Sequence, residues 1–339
     1  MSCLSLPAIG LAGALLALVS SSEAEAWGAA GHRMIGQAAI AALPDEVPAF
    51  VRTPQVAQDV GELDREPDRW RESGKTHDST RDPAHFLDLD DNGKVLGGPV
   101  LAALPPTRAE YESDLRAVSA DTYHAGYLPY AIVDGWQQLA KDFAYWRVLK
   151  AAIPRERDPA RKAWLERDLV RREGLTIRDL GVWAHFVGDA SQPMHVSVHF
   201  NGWGPFPNPN GYTQNRVHTG FEGDYVRRNL DTDQIRAAMA PPAPCEDPVE
   251  VCTARYLAAT NARIEPYFVL QKDGGFANAD PRGAAFVRER VSAGAAVLRD
   301  LVTTAWRASA KGTVGHPSIP VEQVVKGGAD PYDSLYGDD

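Results

Sequence analysis

The stretch Leu180–His199, which reads LGVWAHFVGDASQPMHVSVH, constrains this chain more than any other, and the short piece HTGFE at His218–Glu222 completes it. Leu180, Val182, Trp183, Phe186 and Val187 recur at helical spacing, and Gln192-Pro193 marks the helix exit. On that helix His185 and Asp189 stand four residues apart, so an imidazole and a carboxylate leave one face about a turn from each other. His218 and Glu222 repeat the spacing, and His195 lies between the two pairs. One such pair is ordinarily a hydrogen-bonded helix pair. Two pairs flanking a third histidine have the composition of a metal site with room for more than one ion.

Further candidate ligands precede this stretch. Met1–Ala26 holds the apolar run Leu11–Val19 and then Ala24-Glu25-Ala26, the small-x-small pattern that signal peptidase accepts, although a basic leading region is missing. The chain is therefore expected to be exported, periplasmic or secreted, with no stable membrane insertion. Cleavage after Ala26 would make Trp27 the new amino terminus, and a free amine with its neighbouring carbonyl can chelate a cation through a five-membered ring. Trp27-Gly28-Ala29-Ala30-Gly31-His32 then opens the helical run RMIGQAAIAAL. Asp64 and Asp68 lie in ELDREPDRW, and His85, Phe86 and Asp88 in PAHFLDLDD. Taken alone, these are a satisfied histidine, a solvated turn and a short edge segment.

Hydrophobic residues make up 44% of the chain, enough for a substantial core. The net charge of −10 argues against a protein that grips duplex DNA with a broad basic face. It does not exclude a phosphate site centred on metal ions, which bring their own charge. Helical periodicity covers Leu128–Ala151, a charged run at Arg161–Glu173, and roughly Val249–Phe268 and Gly283–Arg307. Strand signals are few, so the fold class expected is all-α, with helices carrying inward-pointing ligands. No repeat or composition break appears, which gives one domain over 27–309. The Pro/Gly-rich acidic tail 310–339 is expected to be poorly ordered. The loop Asn201–Gln214 carries Trp203, Phe206 and Tyr212, either lining a cleft or packing on one another. Cys245 and Cys252 bracket CEDPVEVC and read as a disulfide, with a Cys-based zinc site as the alternative.

With these residues in hand, the chain resembles the superfamily of zinc-dependent phospholipases C and S-one/P-one single-strand nucleases, from Trp27 to about Arg307. The resemblance implies an all-α domain holding three zinc ions in a cleft. It assigns Asp68, His85, His185 and Asp189 to the first zinc, and His195, His218 and Glu222 to the second. The third would take the amine and carbonyl of Trp27, His32 and a bridging oxygen of Asp189. Asp64 lies one helical turn from Asp68 and is the alternative carboxylate. Asp68 is also the candidate to orient or deprotonate the attacking water. WGxxGH directly after the signal, together with HFLD, points to the nucleases, with Phe86 stacking on a base and Asp88 bonding its edge. SQPMH and Glu222 point to the phospholipases. The expected activity is that of a monomeric endonuclease acting on single-stranded DNA and RNA, the alternative being a phospholipase C, and a third reading being a non-catalytic zinc-binding protein. His199 matches no ligand position.

Overall fold

The computed structural model describes residues 27–277 and 280–337, so the expected signal sequence Met1–Ala26 and its cleavage lie outside the described residues. Helix accounts for 64% of the structure and strand for 3%, in agreement with the all-α expectation. No described helix is long and apolar enough to cross a membrane.

Six long helices build the framework: α1 (Gly28–Ala41), α2 (Pro54–Leu63), α3 (Leu128–Ala152), α4 (Pro159–Asp189), α5 (Val249–Asn261) and α6 (Pro281–Ser309). Helix α3 follows its sequence pattern closely, burying Ile132, Leu139, Phe143 and Val148 completely. A short connection turns it into α4, so the two form a long helical hairpin. The charged run Arg161–Glu173 and the apolar stretch from Leu180 prove to be one continuous helix of 31 residues. Asp158 caps it by accepting from the backbone N–H groups of Ala160 and Arg161. Helix α6 packs against α1, α3 and α4, while α2 lies across α1 and α4.

Two expectations need correction. The helix expected over Val249–Phe268 is divided into α5 and a second helix, Ile264–Lys272. Pro266 is the physical reason, since it has no N–H to offer the carbonyl four residues back and must occupy the first turn of a new helix. The second correction concerns the tail. Thr313–Val314 pairs antiparallel with Ile319–Pro320, and the short helices Val321–Val325 and Tyr332–Tyr336 follow. Val314, Val321 and Val324 are buried against Ala144 and Val148 of α3, and Arg155 donates to the carbonyl of Val324 at 2.7 Å. A few well-placed valines thus outweigh the Pro/Gly-rich composition.

Cys245 and Cys252 form a disulfide that closes the loop leading into α5, which excludes the alternative of a Cys-based zinc site there. The loop Asn201–Gln214 packs on itself and on the helix after α5: Trp203 and Tyr212 are buried, with ring centroids 4.6 Å apart, and Trp203 lies 5.2 Å from Phe268.

Candidate metal centre

The last turn of α4 brings His185 and Asp189 into the interior, and both are fully buried. The segments delivered to them come from five places in the chain. His32 arrives from the first turns of α1, Asp68 from the short helix Glu66–Arg69, and His85 from a tight turn at Asp82–His85. His195 comes from the turn Pro193–Val196 just after α4. His218 and Glu222 lie where the short helix His218–Gly220 widens into a π-helical turn, Phe221–Tyr225. Such widened turns recur at functional sites because they re-aim side chains out of regular helical register.

Three groups result, each with ligand atoms within 4.8 Å of one another: Asp68, His85 and His185; His32, His185 and Asp189; and His195, His218 and Glu222. Any of the three could hold a metal ion. Asp189 joins the first two, because its Oδ2 lies 3.1 Å from His85 Nδ1 and 3.4 Å from His185 Nε2 while its Oδ1 lies 3.4 Å from His32 Nε2. Within the third group, Glu222 Oε1 is 2.5 Å from His218 Nε2 and 3.4 Å from His195 Nε2.

The imidazoles are held by their other nitrogens. His185 Nδ1 donates to the carbonyl of Asp64 at 2.6 Å, and His195 Nδ1 to the carbonyl of His85 at 2.7 Å. His32 Nδ1 meets Asp64 Oδ1 at 2.9 Å. Each of the three therefore turns Nε2 inward toward the carboxylates, the arrangement that metal-binding histidines use. His32 Nε2, Asp68 Oδ1, Asp189 Oδ1, His195 Nε2 and Glu222 Oε2 are buried with no hydrogen-bond partner. So many unsatisfied nitrogens and oxygens facing one another are costly in a folded interior unless a cation satisfies them. The donor set of His nitrogen and carboxylate oxygen, without thiolate, fits zinc in an open site.

The protonation balance follows the same geometry. Burial pushes the His185 pKa down to about 3, against the pull of Asp189, so this ring is a neutral donor. Burial opposes the charge on His195 as well, but Glu222 and Asp189 outweigh it and raise that pKa to about 9. Burial alone would raise Asp189; His185, His32 and His85 instead hold its carboxyl well below the usual range. Glu222 is lowered in the same way, with His218 and His195 overcoming burial.

All eight of the His, Asp and Glu residues expected as ligands fall into these groups, and Asp68 rather than Asp64 joins His85 and His185. Trp27 is fully buried, and its indole donates to Ser191 Oγ at 2.6 Å and to the carbonyl of Gly188 at 3.1 Å, on either side of Asp189 in the chain. Its amine depends on cleavage after Ala26, outside the described residues. Asp88 is buried near His195, and burial pushes its pKa up to about 8. Phe86 is half-buried and stacks on no ring among the described residues.

Sequence reading named two residues without finding their roles. Asp64 is fully buried and fixes two imidazoles at once, His32 through its side chain and His185 through its backbone. Gln192, read as a helix-exit marker, donates its Nε2 to Glu222 Oε1, lies 3.2 Å from His218 Nε2, and accepts from the backbone of Met194. A signal for Gln192 was present in its place three residues before His195, and for Asp64 in its place one turn before Asp68. His199 is explained differently. Its Nδ1 donates to the carbonyl of Trp203, its Nε2 meets Asp91 at 2.9 Å, and its ring stacks on Trp203, so both nitrogens are used in fixing the loop. Compared with known proteins, the chain matches no protein-family model and no curated protein.

Proposed function

We propose that this chain is an exported zinc-dependent phosphodiesterase that cleaves single-stranded DNA and RNA. The observation that carries the reading is the convergence of three buried His/carboxylate groups on the end of α4, with Asp189 common to two of them. Asp68, His85, His185 and Asp189 would hold one zinc and His195, His218 and Glu222 a second. His32 and Asp189, with the amine and carbonyl of Trp27 after processing, would hold a third. Zinc held there would supply Lewis acidity to activate a water near neutral pH and positive charge for the phosphate oxygens.

The remaining work falls to the chain itself. Asp68 is the only carboxylate of the three groups that is not fully buried, and its Oδ1 has no hydrogen-bond partner. In this reading Asp68 accepts a proton from an attacking water and orients it. His85 and His195 are tied together through the His85 carbonyl, which keeps the first and third groups in fixed relation. Phe86, next to His85, offers a half-buried ring to a base, and Asp88 offers a carboxyl at the base edge.

A second reading, a bacterial-type phospholipase C, draws on one observation. Gln192 of SQPMH and Glu222, the two features that point to that branch, are bonded directly to each other. The test sets single-stranded DNA, RNA and phosphatidylcholine beside one another with zinc-loaded, processed protein. Nucleic-acid cleavage should be abolished by a chelator and reduced about a thousandfold in Asp68→Asn, a loss within the usual range for a general base, while the lipid stays intact. Lipid hydrolysis without nucleic-acid cleavage would transfer the assignment to the phospholipases, and silence on all three would leave a zinc-binding protein without turnover.

A further inference from the structure

Beside the Asp68, His85 and His185 group opens an exposed space of about 660 Å³ that counts His85 and Phe186 among its lining residues. Its walls carry Trp70, Arg81, Arg108, Tyr127 and Arg178, in a chain whose overall charge is strongly negative. Not all of this positive charge is available. Arg178 pairs with Asp179 at 2.7 Å, and Arg71 is engaged with Asp68 and Asp82. Arg81 and Arg108 differ, since among the described residues neither forms an ion pair with a carboxylate. The Arg81 guanidinium lies 5.7 Å from the centre of the Trp70 ring, and that of Arg108 lies 3.8 Å from the centre of Tyr127. Asp134 also faces this space, where burial raises its pKa and Arg108 opposes the rise.

A guanidinium laid on an aromatic face keeps its in-plane N–H groups free at the edge, where they suit a phosphate's paired oxygens. The ring also restricts the long side chain before any ligand arrives, so less freedom is lost on binding. The two arginines are exposed, come from different elements and line one space with His85. A substrate held at the metal groups and extending past His85 would therefore meet them next.

We propose that this space is a subsite for the nucleotide flanking the scissile phosphodiester, with Arg81 and Arg108 binding its phosphate. The proposal rests on the phosphodiesterase reading above and deepens it, because it makes the substrate a polymer with a second phosphate. A phospholipid with a single phosphodiester has nothing to place there.

The test compares the wild type with the Arg81→Ala/Arg108→Ala double variant and an Arg81→Lys/Arg108→Lys control. Binding of a fluorescent, phosphorothioate-linked single-stranded octamer is followed by anisotropy at several salt concentrations, using zinc-loaded protein. The alanine variant should bind about tenfold more weakly, and the slope of log K against log salt should fall by about 1.4, as expected for two lost phosphate contacts on a single strand. The lysine control should keep most of the slope. In parallel, kcat/KM for an unmodified octamer, divided by that for bis(4-nitrophenyl) phosphate, should fall at least tenfold in the alanine variant. An unchanged Kd and salt slope would overturn the subsite while hydrolysis of the small diester leaves the phosphodiesterase reading standing. Loss of that reading would show separately, as a wild type that cleaves neither diester.

Discussion

Asp64 shows how much one residue can arrange. Its carboxylate faces His32 and its carbonyl faces His185, so two inward-pointing nitrogens of the group His32, His185 and Asp189 depend on one position. Burial is the main influence on its pKa, raising it to about 6, with His32 pulling the other way. Removing the side chain should release the His32 ring and leave its other partner, Asp189, without the geometry seen here. Asp64→Ala is expected to weaken metal binding at the His32 position about 10- to 100-fold, the usual cost of losing a partner that orients a ligand. Metal analysis after dialysis should find that variant short by about one ion per chain relative to the wild type, while the His195, His218 and Glu222 position stays filled. Equal metal content in both proteins would show that packing alone orients His32. Much of the site at this scale was legible, because a histidine and a carboxylate four apart on a helix must share a face. Asp64 and Gln192 were not, because their importance lies in what they touch across the fold and not in any spacing of their own.

Between elements, the position of the centre depends on how closely α3 and α4 approach. Gly135 of α3 lies directly beneath Trp183 of α4, and a Cβ added there would fall 2.0 Å from the Trp183 ring. Trp183 also donates its indole N–H to the carbonyl of Ile132 at 2.9 Å, which fixes the rotation of α4 two residues before His185. Gly135→Ala should therefore overpack the contact and cost about 1–3 kcal/mol in urea unfolding, with a smaller loss of metal affinity as the end of α4 shifts. A variant as stable as the wild type would mean that the helices can separate without strain. The lengths of α3, α4 and α6 could be read from apolar periodicity, since long amphipathic patterns allow few alternatives. The π-helical turn at Phe221–Tyr225 could not, because it keeps the same residue types and changes only their register. The tail was misjudged for a related reason. Composition counts its glycines and prolines, but three valines meeting the apolar flank of α3 decide its conformation.

For the whole molecule, the centre would become a source of stability when a cation binds it. Helices α1 and α4, the Glu66–Arg69 helix, and the turns carrying His85, His195 and His218 all send polar side chains to one place. Their unsatisfied atoms oppose folding when no cation is present, and a cation that binds only the folded chain shifts the equilibrium by mass action. Zinc at a hundredfold excess over its Kd should add about 2.7 kcal/mol per independent site. Scanning calorimetry should show a Tm that rises with zinc and falls with a chelator, and a Tm insensitive to both would argue that the interior tolerates these groups unaided. The distribution of ligands over the chain also explains why its fold and its centre were legible together: a helix that must bury both an apolar face and a ligand has little freedom in how it packs.

The folded tail has a practical consequence. It is fastened near Leu149, Ala152 and Leu165, whereas the centre begins at His185 and Asp189 at the opposite end of the same continuous helix. At 1.5 Å per residue, Leu165 and Asp189 are separated by roughly 36 Å of rigid rod. A protein tethered to a bead or sensor surface through the described end of the tail, near Tyr336, would thus keep its linker well away from the His/carboxylate groups.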